Sequence, residues 1–143
     1  MKNSNPNFFE NLNENQKKSV IDLNGPCLIV AGAGSGKTRV LTTRVAYIIK
    51  EQKAWSNQIL CVTFTNKAAR EMQDRISKLL HKQNAAIPWL GTFHSLSAKF
   101  LRRHATAANL NPNFTIVDQD DQLKLIRNIC KINEIDAKEM SPK

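Results

Sequence analysis

Ala31-Gly32-Ala33-Gly34-Ser35-Gly36-Lys37-Thr38 stands between the apolar run Cys27-Leu28-Ile29-Val30 and a stretch of helical period from Val40 to Ile49. A strand, a Gly-rich bend and a helix in that order read as a phosphate-binding loop. Small residues let the backbone curl round an anion with its N–H groups pointing inward, and the positive end of the following helix adds to the attraction. Lys37 supplies a mobile cation for the β and γ oxygens of a nucleoside triphosphate, and the Thr38 hydroxyl is placed to ligate Mg²⁺. The strict G-x-x-x-x-G-K-[ST] pattern has Gly where this chain has Ala31. Alanine is small enough to pass the same corner.

The chain has 143 residues and 41% hydrophobic content, enough for one globular domain with a real core. Its formal charge of +9 is uneven, with +4 over residues 1–60, +6 over 61–112 and −1 over 113–143. The basic middle is where a polyanion is expected to lie. Cys27, Cys61 and Cys130 are odd in number and widely spaced, two of them inside expected strands. They read as small buried hydrophobes, without the spacing of a zinc or redox motif, and a reducing cytoplasm is the natural compartment. The amino-terminal residues carry no apolar signal core, and no run is long enough to span a bilayer, so no membrane partner is expected.

Working outward, Leu12 to Ile21 predicts a helix with Asn13 as its N-cap and an acid in its first turn, ended by Gly25-Pro26. On the helix after the loop, Leu41, Val45 and Ile48 share one face. Gln58 to Phe64 predicts a second strand, followed by a helix that turns Ala68, Ala69, Met72, Ile76, Leu79 and Leu80 to the core and Lys67, Arg70, Arg75 and Lys78 to solvent. Ile87 to Phe93 and a helix from about Ser95 to His104 repeat the scheme. Alternation of this kind predicts an α/β fold, a parallel sheet flanked by helices with ligands at the carboxyl ends of the strands. From Asn111-Pro112 the pattern changes: Asp118 is placed to cap a helix through Leu123, Ile126 and Ile129, and Ser141-Pro142-Lys143 reads as the start of another.

Four segments recur in the order and rough spacing of superfamily 1 helicases: Asn13 to Gln16, the loop from Ala31 to Arg39, Val62-Thr63-Phe64-Thr65-Asn66-Lys67-Ala68-Ala69-Arg70-Glu71-Met72, and Gly91-Thr92-Phe93-His94-Ser95-Leu96. The chain resembles the amino-terminal part of the UvrD, Rep and PcrA group of DNA helicases from about residue 9 onward, and the string from Thr63 to Ala69 is the most specific element. The resemblance implies a RecA-like P-loop NTPase lobe, present in part over residues 1–110, and the start of a helical insertion subdomain over 111–143. It implies an enzyme that uses ATP and Mg²⁺ to translocate on single-stranded DNA in the 3′-to-5′ direction and to unwind duplex DNA in repair or replication.

The resemblance also assigns roles by position. Gln16 matches a glutamine that reads the adenine edge, though at the third position after Asn13 it equally completes a capping box. Arg39 matches a residue that stacks on the base. Phe64, at the carboxyl end of its strand and followed by Thr65 and Asn66, suits stacking on an unpaired base, the alternative being a core phenylalanine. Thr92, Phe93 and His94 take the equivalent place on the third strand, where the family again touches single-stranded DNA, while a lone histidine at a strand end is also an ordinary hydrogen-bonding residue. Arg102, Arg103 and His104 meet the DNA backbone or form a solvated face.

Hydrolysis needs carboxylates for Mg²⁺ and for the attacking water. Phe114-Thr115-Ile116-Val117-Asp118 is the one apolar run after the loop that ends in an acid, but Gln119 follows it and Asp120-Asp121 open a helix. Asp118 reads as a cap, and the resemblance puts the acidic strand, the second lobe and the arginines of the cleft among the remaining helicase domains. The chain is expected to bind nucleotide without turning it over. Two rivals stay open: a complete small P-loop NTPase or kinase with Asp118 as its metal acid, and a non-catalytic single-stranded nucleic-acid-binding module.

Overall fold

The structure is a computed structural model that describes residues 8–81 and 85–135. Helix α1 spans Glu14–Ile21, and its start is closed by a reciprocal box: Asn13 Oδ1 accepts from the Gln16 N–H at 2.9 Å and Gln16 Oε1 accepts from the Asn13 N–H at 3.0 Å. Glu14 sits in the first turn and pairs with Lys17 at 2.8 Å. The far end of α1 is held from another element. Arg44 Nη1 donates to the carbonyl oxygens of Ser19 and Asp22, satisfying acceptors that a helix leaves open at its carboxyl end.

Arg44 belongs to α2, Lys37–Lys50, which packs against α1 on one side and α3, Asn66–Leu79, on the other. Val45, Ala46, Met72, Ile76, Cys61 and Ile87 form the main core with Phe8, and Leu12, Val20 and Val40 form a smaller one under α1. The predicted stripe on α3 is confirmed, with Ala69, Met72 and Ile76 buried and Lys67, Arg70 and Lys78 exposed. On α2, Val45 of the expected face is buried and Ile48 half-buried, and Leu41 departs from it. Val40, Thr42, Thr43, Val45 and Ala46 are buried while Leu41 is exposed, because α2 is sandwiched between two helices and buries more than one stripe. Burial pushes the Cys61 thiol up from its ordinary value, as fits the expected small buried hydrophobe.

Two strands pair in parallel, β1 (Leu60–Thr63) with β2 (Trp89–Thr92), in the register Leu60↔Trp89 to Thr63↔Thr92. Helix α3 makes the crossover between them, and α4, Phe93–Arg103, follows β2 directly. The expectation of α/β structure with a parallel sheet holds at this size. The expected first strand does not form among the described residues: Cys27 to Val30 lies outside any ladder, and Leu28 and Val30 are each 89% exposed. A run that is apolar on both faces needs a strand beside it and helices above and below, and among the described residues no strand pairs with this one. Cys27 is therefore exposed, against the expectation of burial.

The chain divides into two compact units, residues 1–100 and 101–143. In the second, α5 (Gln119–Ile132) starts at Asp118, whose Oδ1 accepts from the Asp121 N–H at 2.8 Å, and Phe114 to Val117 forms no strand. Asp118 is thus the predicted cap. The expected helix start at Ser141-Pro142-Lys143 lies outside the described residues.

Ile76 is fully buried between α2 and the sheet. Its replacement by Ala is expected to destabilise the chain by about 2–5 kcal/mol in denaturant unfolding, whereas Arg70→Ala on the exposed face of the same helix should change stability by no more than about 0.5 kcal/mol.

Candidate nucleotide and nucleic-acid interface

The loop from Ala31 to Gly36 owes its shape to two glycines. Gly34 and Gly36 have φ of 75° and 83°, in the left-handed region that disfavours side chains. Gly36 is the N-cap of α2 and has no side chain with which to satisfy the first-turn N–H groups, so those donors stay available to an anion. Lys37 folds back over the bend, its Nζ donating to Ala31 O at 2.8 Å and to Gly32 O at 2.6 Å. Ser35 Oγ also reaches Gly32 O, at 2.7 Å. Ala33 is exposed within the bend. The ammonium is therefore aimed into the cradle, on carbonyl oxygens that stand where acceptor oxygens of a phosphate could replace them.

Thr38 is exposed in the first turn of α2, and its carbonyl accepts from Thr42 Oγ1 at 2.9 Å. Arg39 Nη1 donates to Asn11 O at 3.2 Å, at the entry to α1. Gln16 performs its capping role and also donates from Nε2 to Ser35 O at 2.9 Å. That last contact joins residues 19 apart in sequence and had no signal in the linear pattern. The Arg44 clamp on α1 was equally invisible.

At the sheet edge, β1 and β2 end on the paired residues Thr63 and Thr92. The next residue in each strand is a phenylalanine, Phe64 at 96% exposure and Phe93 at 68%. Phe64 stands in the bend after β1 and Phe93 opens α4, so two exposed rings lie just past the carboxyl ends of the paired strands. Phe64 is not a core residue in this chain. Thr65 caps α3, accepting from the Ala68 N–H at 3.1 Å, and Asn66 is exposed as the first residue of that helix. Thr92 differs from its neighbours. It is only 9% exposed, and it exchanges bonds with Ser95, Thr92 Oγ1 accepting from the Ser95 N–H at 3.2 Å and Ser95 Oγ accepting from the Thr92 N–H at 3.0 Å. Gly91 is needed beside this pair, since a Cβ there would lie 2.7 Å from Ser95 Oγ. Phe93 and His94 are exposed just past this strand end.

Electrostatics separate these helix starts from the others. The first turns of α1 and α5 carry their own acids, Glu14 and Asp120 with Asp121, which answer the positive end of each helix. Those of α2, α3 and α4 carry none. Three helix N-termini are thus left electropositive, and they are the ones that follow the loop and the two strand ends. Among the described residues no three His, Cys, Asp or Glu side chains group to hold a metal. A cation such as Mg²⁺, which takes few protein ligands and keeps phosphate and water oxygens, fits the single exposed hydroxyl of Thr38. No helix of the described residues is long and apolar enough to cross a membrane.

Comparison with known proteins accords with this geometry. The chain is 48% identical over 141 residues to a probable DNA helicase II homolog of Rickettsia conorii, an alignment covering 97% of this chain and 21% of that protein. It is 46% identical over 136 residues to the ATP-dependent DNA helicase PcrA of Staphylococcus aureus, covering 95% of this chain and 18% of the relative. The chain thus spans about a fifth of the length of these curated relatives. The sequence profile of the UvrD/REP helicase N-terminal domain matches residues 12–143, and the chain belongs to that family.

Proposed function

We propose that this chain is the amino-terminal ATP-binding part of a DNA helicase that couples ATP hydrolysis to 3′-to-5′ movement along single-stranded DNA and to unwinding of duplex DNA, in repair or replication in the cytoplasm. The observation that carries this reading is the pairing of a Lys37-filled Gly-rich loop with two exposed phenylalanines at the ends of paired strands in the same compact unit. Residues 1–110 are read as part of a RecA-like lobe and 111–143 as the start of a helical insertion. The remaining helicase domains supply the second lobe and the carboxylates of hydrolysis, so the chain alone binds nucleotide without turning it over.

In this reading the N–H groups of Gly32 to Thr38 hold the phosphates and Lys37 exchanges its loop carbonyls for the β and γ oxygens. Gln16 and Arg39 meet the base, Gln16 through the amide hydrogen and lone pair that its present bonds leave over. Thr38 is the residue of this chain that would hold Mg²⁺, which would supply positive charge against the charge that develops on the transferring phosphoryl group. Phe64 and Phe93 stack on unpaired bases, with Thr65, Asn66 and His94 beside them. Stacking is tolerant of sequence and is worth about 1–3 kcal/mol per base, which suits a protein that must step along any strand. Thr92 contributes by fixing the start of α4, because its hydroxyl is spent on Ser95.

Two outcomes are expected in the full-length protein. Lys37→Ala should lower DNA-stimulated ATPase by about a hundredfold or more in a steady-state assay, as loss of a preorganised charge at a transferring phosphoryl group does, and near-normal turnover would refute the assignment. Phe64→Ala should weaken binding of a labelled single-stranded oligonucleotide by about tenfold while shifting stability by less than about 0.5 kcal/mol. Unfolding of that variant would return Phe64 to the core.

A further inference from the structure

Gln16 uses both ends of its amide at once. Oε1 accepts the Asn13 N–H at 3.0 Å, which sets the rotation of the amide, and Nε2 is thereby directed at the carbonyl of Ser35, 2.9 Å away. The approach is close enough that a Cβ on Gly36 would lie 3.1 Å from Nε2. The contact is made to one particular peptide unit, the one joining Ser35 to Gly36 at the mouth of α2.

A trans peptide points its C=O and N–H in opposite directions. Holding the Ser35 carbonyl on α1 therefore holds the Gly36 N–H away from α1. Gly36, at φ 83°, is the residue type that lets such a peptide turn over with little steric resistance, since glycine populates both signs of φ. Without a tether the Gly36 N–H would sample both directions, and an anion would have to fix it on binding. With the tether, that ordering is complete before the anion arrives, the general route by which preorganisation raises affinity.

We infer that Gln16 is a positioning residue for the phosphate loop, locking the Ser35–Gly36 peptide so that its N–H is preset for an anion, a role separate from any contact with the base. The inference rests on the phosphate-loop reading above but not on adenine recognition. It assigns Gln16 a part in binding any polyphosphate. Its anchorage comes from α1, which Arg44 of α2 clamps at the other end, so the helix that carries Gln16 and the helix that carries Lys37 are tied together at both ends of α1.

The test uses a ligand with no base. Isothermal titration of inorganic tripolyphosphate with Mg²⁺ into the full-length protein is compared for wild type, Gln16→Ala, Asn13→Ala and Lys37→Ala. The expected result is a five- to tenfold rise in the tripolyphosphate Kd for Gln16→Ala, the loss of about one hydrogen bond, with a rise at least as large for ATP and for GTP. Asn13→Ala removes the other half of the capping box but leaves the tether's donor, and should stay within about twofold of wild type. An unchanged tripolyphosphate Kd in Gln16→Ala, with ATP alone weakened, would overturn the inference and leave Gln16 as a base reader only. An equal loss in Asn13→Ala would overturn it in favour of helix capping. Lys37→Ala separates this from failure of the functional reading: if that variant binds tripolyphosphate as wild type does, the loop is no phosphate site and both fall.

Discussion

Parallel pairing of Leu60–Thr63 with Trp89–Thr92 is the constraint from which the rest of the first compact unit follows. Two parallel neighbours cannot be joined by a hairpin, so the chain must cross back over the sheet, and α3 does this with Met72 and Ile76 buried against Cys61. Each such side chain contributes about 1.5–3 kcal/mol by leaving water. The same geometry makes the helix after each strand begin at the same sheet edge. Thr63 and Thr92 are in register, an exposed phenylalanine follows each of them, and the Thr65 and Thr92 caps fix the starts of α3 and α4 beside those rings.

Charge and conformation then specialise this edge. The first turns of α1 and α5 carry an acid, while those of α2, α3 and α4 omit it and keep their positive ends unanswered. In the loop, Gly34 and Gly36 accept backbone conformations that other residues resist, and Lys37 donates to the carbonyls of Ala31 and Gly32. Ionic and stacking contacts of these kinds bind a polynucleotide without reading its order, and a triphosphate through its charge.

Local signals were legible in the residues and long-range ones were not. The Asn13 cap, the acid after it, the burial stripe of α3 and the Asp118 cap all depend on neighbours within a turn or two, and the structure places them as the pattern predicts. Cys27 to Val30 reads as a buried strand because its apolar content is continuous, yet ladder formation depends on partners that sequence spacing does not name, and Leu28 and Val30 stand exposed. Thr92 is legible as a strand-end residue but not as the spent half of a Thr92–Ser95 exchange, since a helix starting two residues earlier than expected turns a surface hydroxyl into a cap. The Gln16 to Ser35 and Arg44 to Ser19 contacts join residues 19 and 25 apart and leave no periodic trace.

The central claim is that the bend before α2 holds a triphosphate and that an unpaired strand lies across the tips of β1 and β2 in the same compact unit. Amide hydrogen exchange, followed by mass spectrometry on the full-length protein with and without ATP–Mg²⁺ and a single-stranded oligodeoxynucleotide, tests it most directly. The account predicts that nucleotide slows exchange across residues 32–39 and that the oligonucleotide slows it across 64–68 and 93–96, each ligand leaving α5 unchanged. Exchange in 32–39 that ignores saturating nucleotide, or protection by the oligonucleotide confined to segments away from both strand tips, would contradict it.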